Sequence, residues 1–418
     1  MRKKISVLEM ALKAKEASKA LMIASTETKN QALLFMAEHL RLNKDNLLKA
    51  NKMDLDSLKP DATDAFKDRL ALNDKTIEGM ASSLEMMATL NDPVDNVLST
   101  KTLPNGLVLE KVSVPIGVIA VIYESRPNVT SDAGALCMKS GNAVILRGGS
   151  ESFNSCQEIM VSIRYGLEKA GLPIDAIQMV ESKDRAELQE LISLEKNIDL
   201  IIPRGGRGLL SFIKENSHIP LLLHLDGICH TYIHKDADLK KSLDIVLNAK
   251  LRRTGVCNAT ETILVDYDVM ESHLKPIINM LIENGCEVRG DRLTCELDDR
   301  VIKATMEDWA TEYLDAIVSI KVVKDIEKAI NHIDMYSSNH TEAIITENSK
   351  AAEKFLKEIG SAVVMHNAST QFCDGGQFGM GAEIGISTGK LHARGPVGLE
   401  QLTTFKYKVR GNGQIRPK

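Results

Sequence analysis

The chain contains no apolar run approaching the ~20 residues that cross a bilayer. Its N-terminus, MRKKISVLEM, passes into a charged amphipathic pattern and not into the apolar stretch of a signal peptide. Neither a membrane partner nor export is expected, and the default compartment is the cytoplasm. A disulfide framework is missing as well: the seven cysteines are odd in number and without paired spacing, in a chain far longer than the scaffolds that rely on such bridges. No sign of charge dominates, since the formal net charge is -5 and the basic residues are scattered, which argues against nucleic acid as the main partner. There is no G-x-G-x-x-G fingerprint of a dinucleotide site. No metal is expected either: His230, His234 and Cys229 lie close in sequence, but Thr231-Tyr-Ile-His234 alternates like a strand and spreads them over two faces.

What is present is an ordinary globular balance, 44% hydrophobic and 26% charged, over 418 residues, enough for roughly two or three domains. Residues 6–56 carry helical periodicity, with Leu8, Ala11 and Leu12 on one stripe and Leu33, Leu34, Ala37, Leu40 and Leu47 on the next. Pro60 breaks the pattern, and a second helical stretch, 64–91, ends at Asp92-Pro93. Its Met80, Met86 and Met87 read as core filler. The turn Leu103-Pro-Asn-Gly-Leu107 between extended segments at 97–102 and 108–114 predicts a hairpin arm. Such an arm has little to pack on within its own domain and reads as an oligomer contact.

From residue 117 the rhythm changes. Strands at 117–122, 143–146, 177–180 and 199–202 alternate with helices at 130–139, 152–170, 184–194 and 209–216, which predicts βαβ units on a buried parallel sheet, a Rossmann-type domain. Residues 220–226, PLLLHLD, read as one more buried strand. Ligands of such sheets collect at the C-terminal strand ends, where two glycine-rich turns lie: Arg147-Gly148-Gly149-Ser150 and Pro203-Arg204-Gly205-Gly206-Arg207-Gly208. Glycine lets backbone amides approach a phosphate and the following helix N-terminus favours an anion, although glycine at such a turn also has purely steric uses.

Cys257 lies in LRRTGVCNATETILV, between a helix at 239–249 with Leu239, Leu243, Val246 and Leu247 on one face and a strand at 262–265. Gly255 can close the helix, which leaves Cys257 on a short loop where side chains meet substrate. Free cysteine is most often a small buried apolar residue, and the local sequence is compatible with a packing thiol as well as with a nucleophile. Arg252 and Arg253 are near enough to favour a thiolate, while a helix C-terminus opposes it by roughly 0.3–1 kcal/mol. A helix at 268–283 and strands at 288–289 and 316–323 suggest a second α/β unit. The last third holds a strand at 361–364, the segment Asn367-Ala-Ser-Thr370-Gln-Phe372, a glycine-rich stretch at 374–389, and an alternating edge strand at 402–409 able to pair across a subunit interface.

Eight ordered motifs spread over nearly the full length carry a resemblance: VPIGVIAVIYESRPNVTSDAGALCMKSGNAVILRGGSE, IDLIIPRGGRGL, HLDGICHTYIH, RRTGVCNATETILV, WATEYLDAIVSIKVV, SSNHTEAIIT, NASTQFCDGGQFGMGAEIGIST and LHARGPVGLEQLTTFKY. Together they resemble the aldehyde dehydrogenase superfamily and, within it, the γ-glutamyl phosphate reductases. The resemblance implies an α/β, aldehyde dehydrogenase-like fold with a Rossmann-type cofactor domain, an α/β catalytic domain and a small β oligomerisation arm. It implies an NADP-binding domain over 1–229, interrupted by the arm hairpin at about 98–115, a catalytic domain over 230–375, and a return segment with the oligomerisation strand over 376–418. The implied reaction is NADPH-dependent reduction of L-glutamyl 5-phosphate to L-glutamate 5-semialdehyde, in proline biosynthesis. Its substrate would come from a separate glutamate kinase, with no kinase domain fused ahead of the N-terminal helices, and the enzyme would be a homo-oligomer.

By the same resemblance Cys257 is the nucleophile and Asn128 the oxyanion donor. Arg147 and Ser150 face the adenosine ribose and its 2′-phosphate, with Glu151 entering if the register slips by one. Arg204, Gly205 and Gly206 belong to the cofactor turn, and Glu312 holds the nicotinamide ribose. Arg126 steers the phosphate, while Ser369 and Thr370 bind the substrate carboxylate. Two departures stand out. Where hydrolytic relatives carry Glu-Leu-Gly-Gly, this chain reads His224-Leu225-Asp226-Gly227, without the base that activates water, and Thr254 stands where proline is expected before Gly255.

Overall fold

The structure is a computed structural model that describes residues 5–182, 184–223 and 226–416. It divides into two compact units, residues 1–223, 379–385 and 397–418 in the first, residues 224–378 and 386–396 in the second. The segment expected at 376–418 is thus shared between the two.

The first unit opens with helices α1 (Val7–Ile23), α2 (Thr26–Leu42), α3 (Lys44–Asp56), α4 (Asp64–Leu70) and α5 (Asp74–Thr89). The two long helical stretches read from the sequence are therefore cut, at Ser25 and Asn43 and again at 71–73. Caps explain two of the cuts: the Ser25 hydroxyl accepts from the Thr28 amide, and Asn73 and Thr76 satisfy each other's amides reciprocally. Met80 and Met87 are buried on α5, as core filler should be.

A hairpin of β1 (Val97–Thr102) and β2 (Val108–Pro115) follows, turning through Gly106 at φ +83. Next come β3 (Val118–Tyr123), α6 (Asn128–Lys139), β4 (Ala143–Arg147), α7 (Phe153–Lys169), β5 (Ile177–Met179), α8 (Arg185–Ser193), β6 (Leu200–Arg204) and α9 (Arg207–Asn216). The strands are parallel in the order β5-β4-β3-β6, and every residue of β3 is buried, as an apolar run covered on both faces requires. The strand expected at 220–226 is reduced to a single parallel bridge from Leu221 to Ile201. Pro220 offers Ile201 a carbonyl but has no amide to extend the ladder, and residues 224 and 225 lie outside the described residues.

The second unit contains β7 (Cys229–Ile233), α10 (Leu239–Leu251), β8 (Thr260–Asp266), α11 (Lys275–Glu283), β9 (Glu287–Gly290), α12 (Arg292–Leu297), β10 (Ile302–Lys303), β11 (Ile317–Val323), α13 (Ile326–Tyr336), β12 (Thr341–Ile345), α14 (Ser349–Glu358), β13 (Val363–His366), β14 (Ile386–Ser387) and β15 (Gly395–Pro396). Seven of the strands form a parallel sheet, ordered β10-β9-β11-β8-β7-β12-β13. The helix expected at 268–283 begins only at Lys275, after a 3-10 turn and a π turn, with Pro276 in its first turn, where a missing amide costs nothing.

The chain finishes back in the first unit with β16 (Thr403–Arg410), antiparallel to β2, so that β2 is the centre of a sheet ordered β1-β2-β16. One edge of β16 is therefore paired within the chain. Phe405, Tyr407 and Val409 alternate along it and are exposed, with the Lys111 ammonium 3.8 Å from the Phe405 ring centroid.

Candidate active site

Cys257 sits in the loop between α10 and β8, and the base of that loop is closed by a buried ion pair. Lys250, in the last turn of α10, and Glu261, near the start of β8, meet at 2.5 Å with both side chains fully buried. Burial pushes the Glu261 carboxyl up to about 7, against the pull of Lys250. Thr260, the strand residue before Glu261, belongs to a chain of hydroxyls, Thr231 to Thr260 at 2.7 Å and Thr260 to Thr370 at 3.1 Å. Sequence reading missed Lys250, although its place three and four residues beyond Leu247 and Val246 put it on the apolar stripe, where a lysine demands a partner.

Of the seven cysteines, Cys257 and Cys295 are half-buried and the others are buried. Burial raises the thiols of Cys137, Cys156, Cys229 and Cys286, the last to about 12, which makes them poor nucleophiles. Behind Cys257 lies Gly227. A Cβ there would stand 2.0 Å from the Cys257 carbonyl oxygen and 2.5 Å from its Cα, so only glycine permits this approach. The Gly227 amide donates to Glu312 Oε1 at 2.9 Å, and the Cys229 thiol donates to the Cys257 carbonyl at 3.2 Å. Glu312 thus braces the glycine on which the Cys257 loop rests. Two residues on, the Leu314 amide donates to Glu261 at 3.3 Å.

Arg252 donates to Gln371 Oε1 at 3.0 Å, a partner that sequence reading did not foresee for it. Ser369 and Thr370 open a short 3-10 turn and are both buried. The Ser369 hydroxyl accepts from the Gln371 amide at 3.3 Å, and the Thr370 hydroxyl belongs to the threonine chain.

In the first unit Asn128 is the first residue of α6, exposed, and its amide donates to Asp132 at 3.1 Å. Burial pushes the Asp132 carboxyl up to about 6, opposed by the Asn128 and Ser83 donors. Arg126, two residues before Asn128, is exposed.

The two glycine turns lie at the ends of β4 and β6, as expected, but their helix N-termini are already engaged. Asp54 accepts from the amides of Asn154 and Ser155 at the start of α7, at 3.1 and 2.8 Å. Glu124 accepts from the Gly206 amide at 2.9 Å, and a Cβ on Gly205 would strike that carboxyl at 2.8 Å. Carboxylates of the chain itself thus accept from backbone amides at both turns. Arg147 is placed to receive an anion. Its Nε is buried with no hydrogen-bond partner among the described residues, and burial lowers the pKa of its guanidinium. Beside it a Cβ on Gly149 would meet the Ser125 hydroxyl at 2.7 Å. The Ser150 and Ser125 hydroxyls each donate to the Glu151 carboxylate at 2.9 Å, which places a negative charge next to Ser150.

The model of the aldehyde dehydrogenase family matches residues 3–283. The chain is 53% identical, over 99% of its length and 98% of the relative's, to the γ-glutamyl phosphate reductase of Erythrobacter litoralis. It is 55% identical to that of Rhodospirillum rubrum, over 98% of this chain and 96% of the relative. The crystal structure of γ-glutamyl phosphate reductase from Thermotoga maritima superposes with a TM-score of 0.96 at 45% identity, covering 99% of this chain and all of that one. By these matches, and with two parallel sheets, the chain belongs to the aldehyde dehydrogenase family and, within it, to the γ-glutamyl phosphate reductases.

Proposed function

We propose that this chain reduces L-glutamyl 5-phosphate to L-glutamate 5-semialdehyde with NADPH and releases phosphate, the second step of proline biosynthesis. The observation that carries the reading is the braced loop of Cys257, half-buried and resting on Gly227, in a chain whose full-length relatives are reductases of this name. The thiolate attacks the acyl carbon; the new C–S bond replaces the C–O bond to phosphate, which leaves with the electron pair. NADPH, when bound, supplies the hydride that reduces the thioester carbon. Collapse of the thiohemiacetal returns the electron pair to Cys257 and frees the aldehyde.

Asn128 is assigned as donor to the developing oxyanion, with the Cys257 amide as second donor. Its hydrogen bond to Asp132 supports this role, because it limits the orientations open to the amide. Arg126 is assigned to the leaving phosphate, the turn of Ser369 and Thr370 to the substrate carboxylate, and Glu312 to the nicotinamide ribose. Arg147, Ser150 and Arg204-Gly205-Gly206 are assigned to the rest of the dinucleotide. The unpartnered Arg147 Nε supports an anionic group there, while Glu151 beside Ser150 opposes one, so preference for NADPH rests on Arg147. The absence of a glutamate from His224-Leu225-Asp226-Gly227 supports an acyl-enzyme that survives until hydride or phosphate arrives; His224 itself lies outside the described residues. The first unit is read as the cofactor domain and the second as the catalytic one. The exposed face of Phe405, Tyr407 and Val409 supports self-association through the β1-β2-β16 sheet. A separate glutamate kinase supplying the substrate and a cytoplasmic location complete the reading.

The test is the reverse reaction: NADP+ reduction with L-glutamate 5-semialdehyde, with and without phosphate, beside Cys257→Ala. Turnover that requires phosphate and vanishes in the variant is expected. Turnover without phosphate would instead identify a hydrolytic dehydrogenase.

A further inference from the structure

Gln371 follows the Ser369 and Thr370 turn and is 5% exposed. Its side chain is spent on the loop that carries Cys257. Nε2 donates to the carbonyls of Ala249 at 3.0 Å and Arg253 at 3.1 Å, and Oε1 accepts from Arg252 at 3.0 Å. Ala249 lies in the last turn of α10, where carbonyls have no helical partner. On the other side of the thiol, Asn258 donates to the Cys373 carbonyl at 2.9 Å, so both flanks of Cys257 hang from residues 371–373. The Gln371 amide reaches back to the Ser369 hydroxyl, which makes the turn and the loop one connected piece.

We propose that Gln371 is a positioning residue for Cys257, holding the nucleophile loop and passing to it the state of the Ser369 and Thr370 turn. The proposal rests on Cys257 being the nucleophile. A primary amide suits the place because it donates two protons to two carbonyls while accepting from a guanidinium. A carboxylate would keep the arginine and turn like partial charge on the carbonyls; alanine keeps neither contact.

The test uses the full-length protein with Gln371→Ala and Gln371→Glu. Two readouts are taken: kcat and KM for the semialdehyde reaction in phosphate, and the rate of iodoacetamide labelling at each of the seven cysteines by peptide mass spectrometry. Both variants should lower kcat by about ten- to a hundredfold, since small misplacements of a reacting group are costly, and leave KM for NADP+ within about twofold. Labelling should change at Cys257 and stay constant at the other six. An unchanged kcat would overturn the proposal. So would full activity in Gln371→Glu, or a change shared by all seven thiols, which would report a looser fold. Labelling needs no substrate, so a wild type that fails to turn over would sink the proposed function and still leave the role of Gln371 decidable.

Discussion

A methyl group added at position 227 would lie 2.0 Å from the carbonyl oxygen of Cys257, 2.5 Å from its Cα and 2.6 Å from its carbonyl carbon. Non-bonded carbon atoms rest about 3.5–4 Å apart, so relieving the clash takes a shift of roughly 1–1.5 Å. All three atoms are backbone, and no rotamer change can absorb it. Both sides are also held, Gly227 by Glu312 and the Cys257 carbonyl by Cys229. Overpacking of this kind costs about 1–3 kcal/mol in stability, but a misplacement of about 1 Å at a reacting atom costs about a hundredfold in rate. Gly227→Ala is therefore expected to lose activity far more than stability, with kcat down about a hundredfold. Gly255→Ala is the control. It lies in the same loop, and the nearest atom to a Cβ there is the Leu314 carbonyl oxygen at 3.9 Å. Its kcat should stay within about threefold, as befits a change of about 0.5 kcal/mol. The assay is phosphate-dependent NADP+ reduction, with thermal melting alongside. Wild-type kcat in Gly227→Ala, or equal damage from both substitutions, would refute the idea that Cys257 is seated on this glycine.

Two further outcomes follow from buried charge. Removing one partner of the Lys250–Glu261 pair, by Lys250→Met or Glu261→Gln, should cost about 3–5 kcal/mol in urea unfolding, and the double replacement should cost clearly less than the sum; strict additivity would show that the two do not act as a pair. Asp132 is raised by burial from 3.8 to about 6, so between those values the folded protein holds a proton that the unfolded chain releases, and stability falls as pH rises through the window. The melting-temperature difference between wild type and Asp132→Asn should shrink or reverse from pH 4 to above 6, and a flat difference would contradict the shift.

Much of the fold was legible because period and punctuation agree. The run Val118-Ile-Ala-Val-Ile-Tyr123 has no polar position, and such a run is stable only where helices cover both faces of a parallel sheet, as they do in the first unit. Helix ends were less legible: a stripe of leucines says that residues 6–56 are helical, but the restart at Thr26 depends on whether Ser25 spends its hydroxyl on the Thr28 amide. The site divides the same way. The loop that carries Cys257 could be read, because a helix, a glycine and a strand in succession are a local pattern, whereas the role of its thiol came only from the family resemblance. The brace could not, because Gly227, Glu312, Gln371 and Glu261 converge from segments far apart in sequence. The partners of the helix N-termini are hidden for a related reason: a turn sequence cannot reveal that Asp54, about 100 residues away, caps α7.

The pairing of β2 with β16 sets a timetable for synthesis. Their paired residues run from Thr403 with Pro115 to Arg410 with Val108, about 300 residues apart, so at roughly 5–20 residues per second the ribosome leaves β2 waiting for about 15–60 seconds. During that interval only the β1–β2 hairpin can form, and an isolated two-stranded ribbon is marginal in water. The arm is thus the last part of the first unit to close. Until then it presents an open strand edge on a polysome crowded with identical nascent chains, where capture by a neighbour competes with completion by the chain's own final strand.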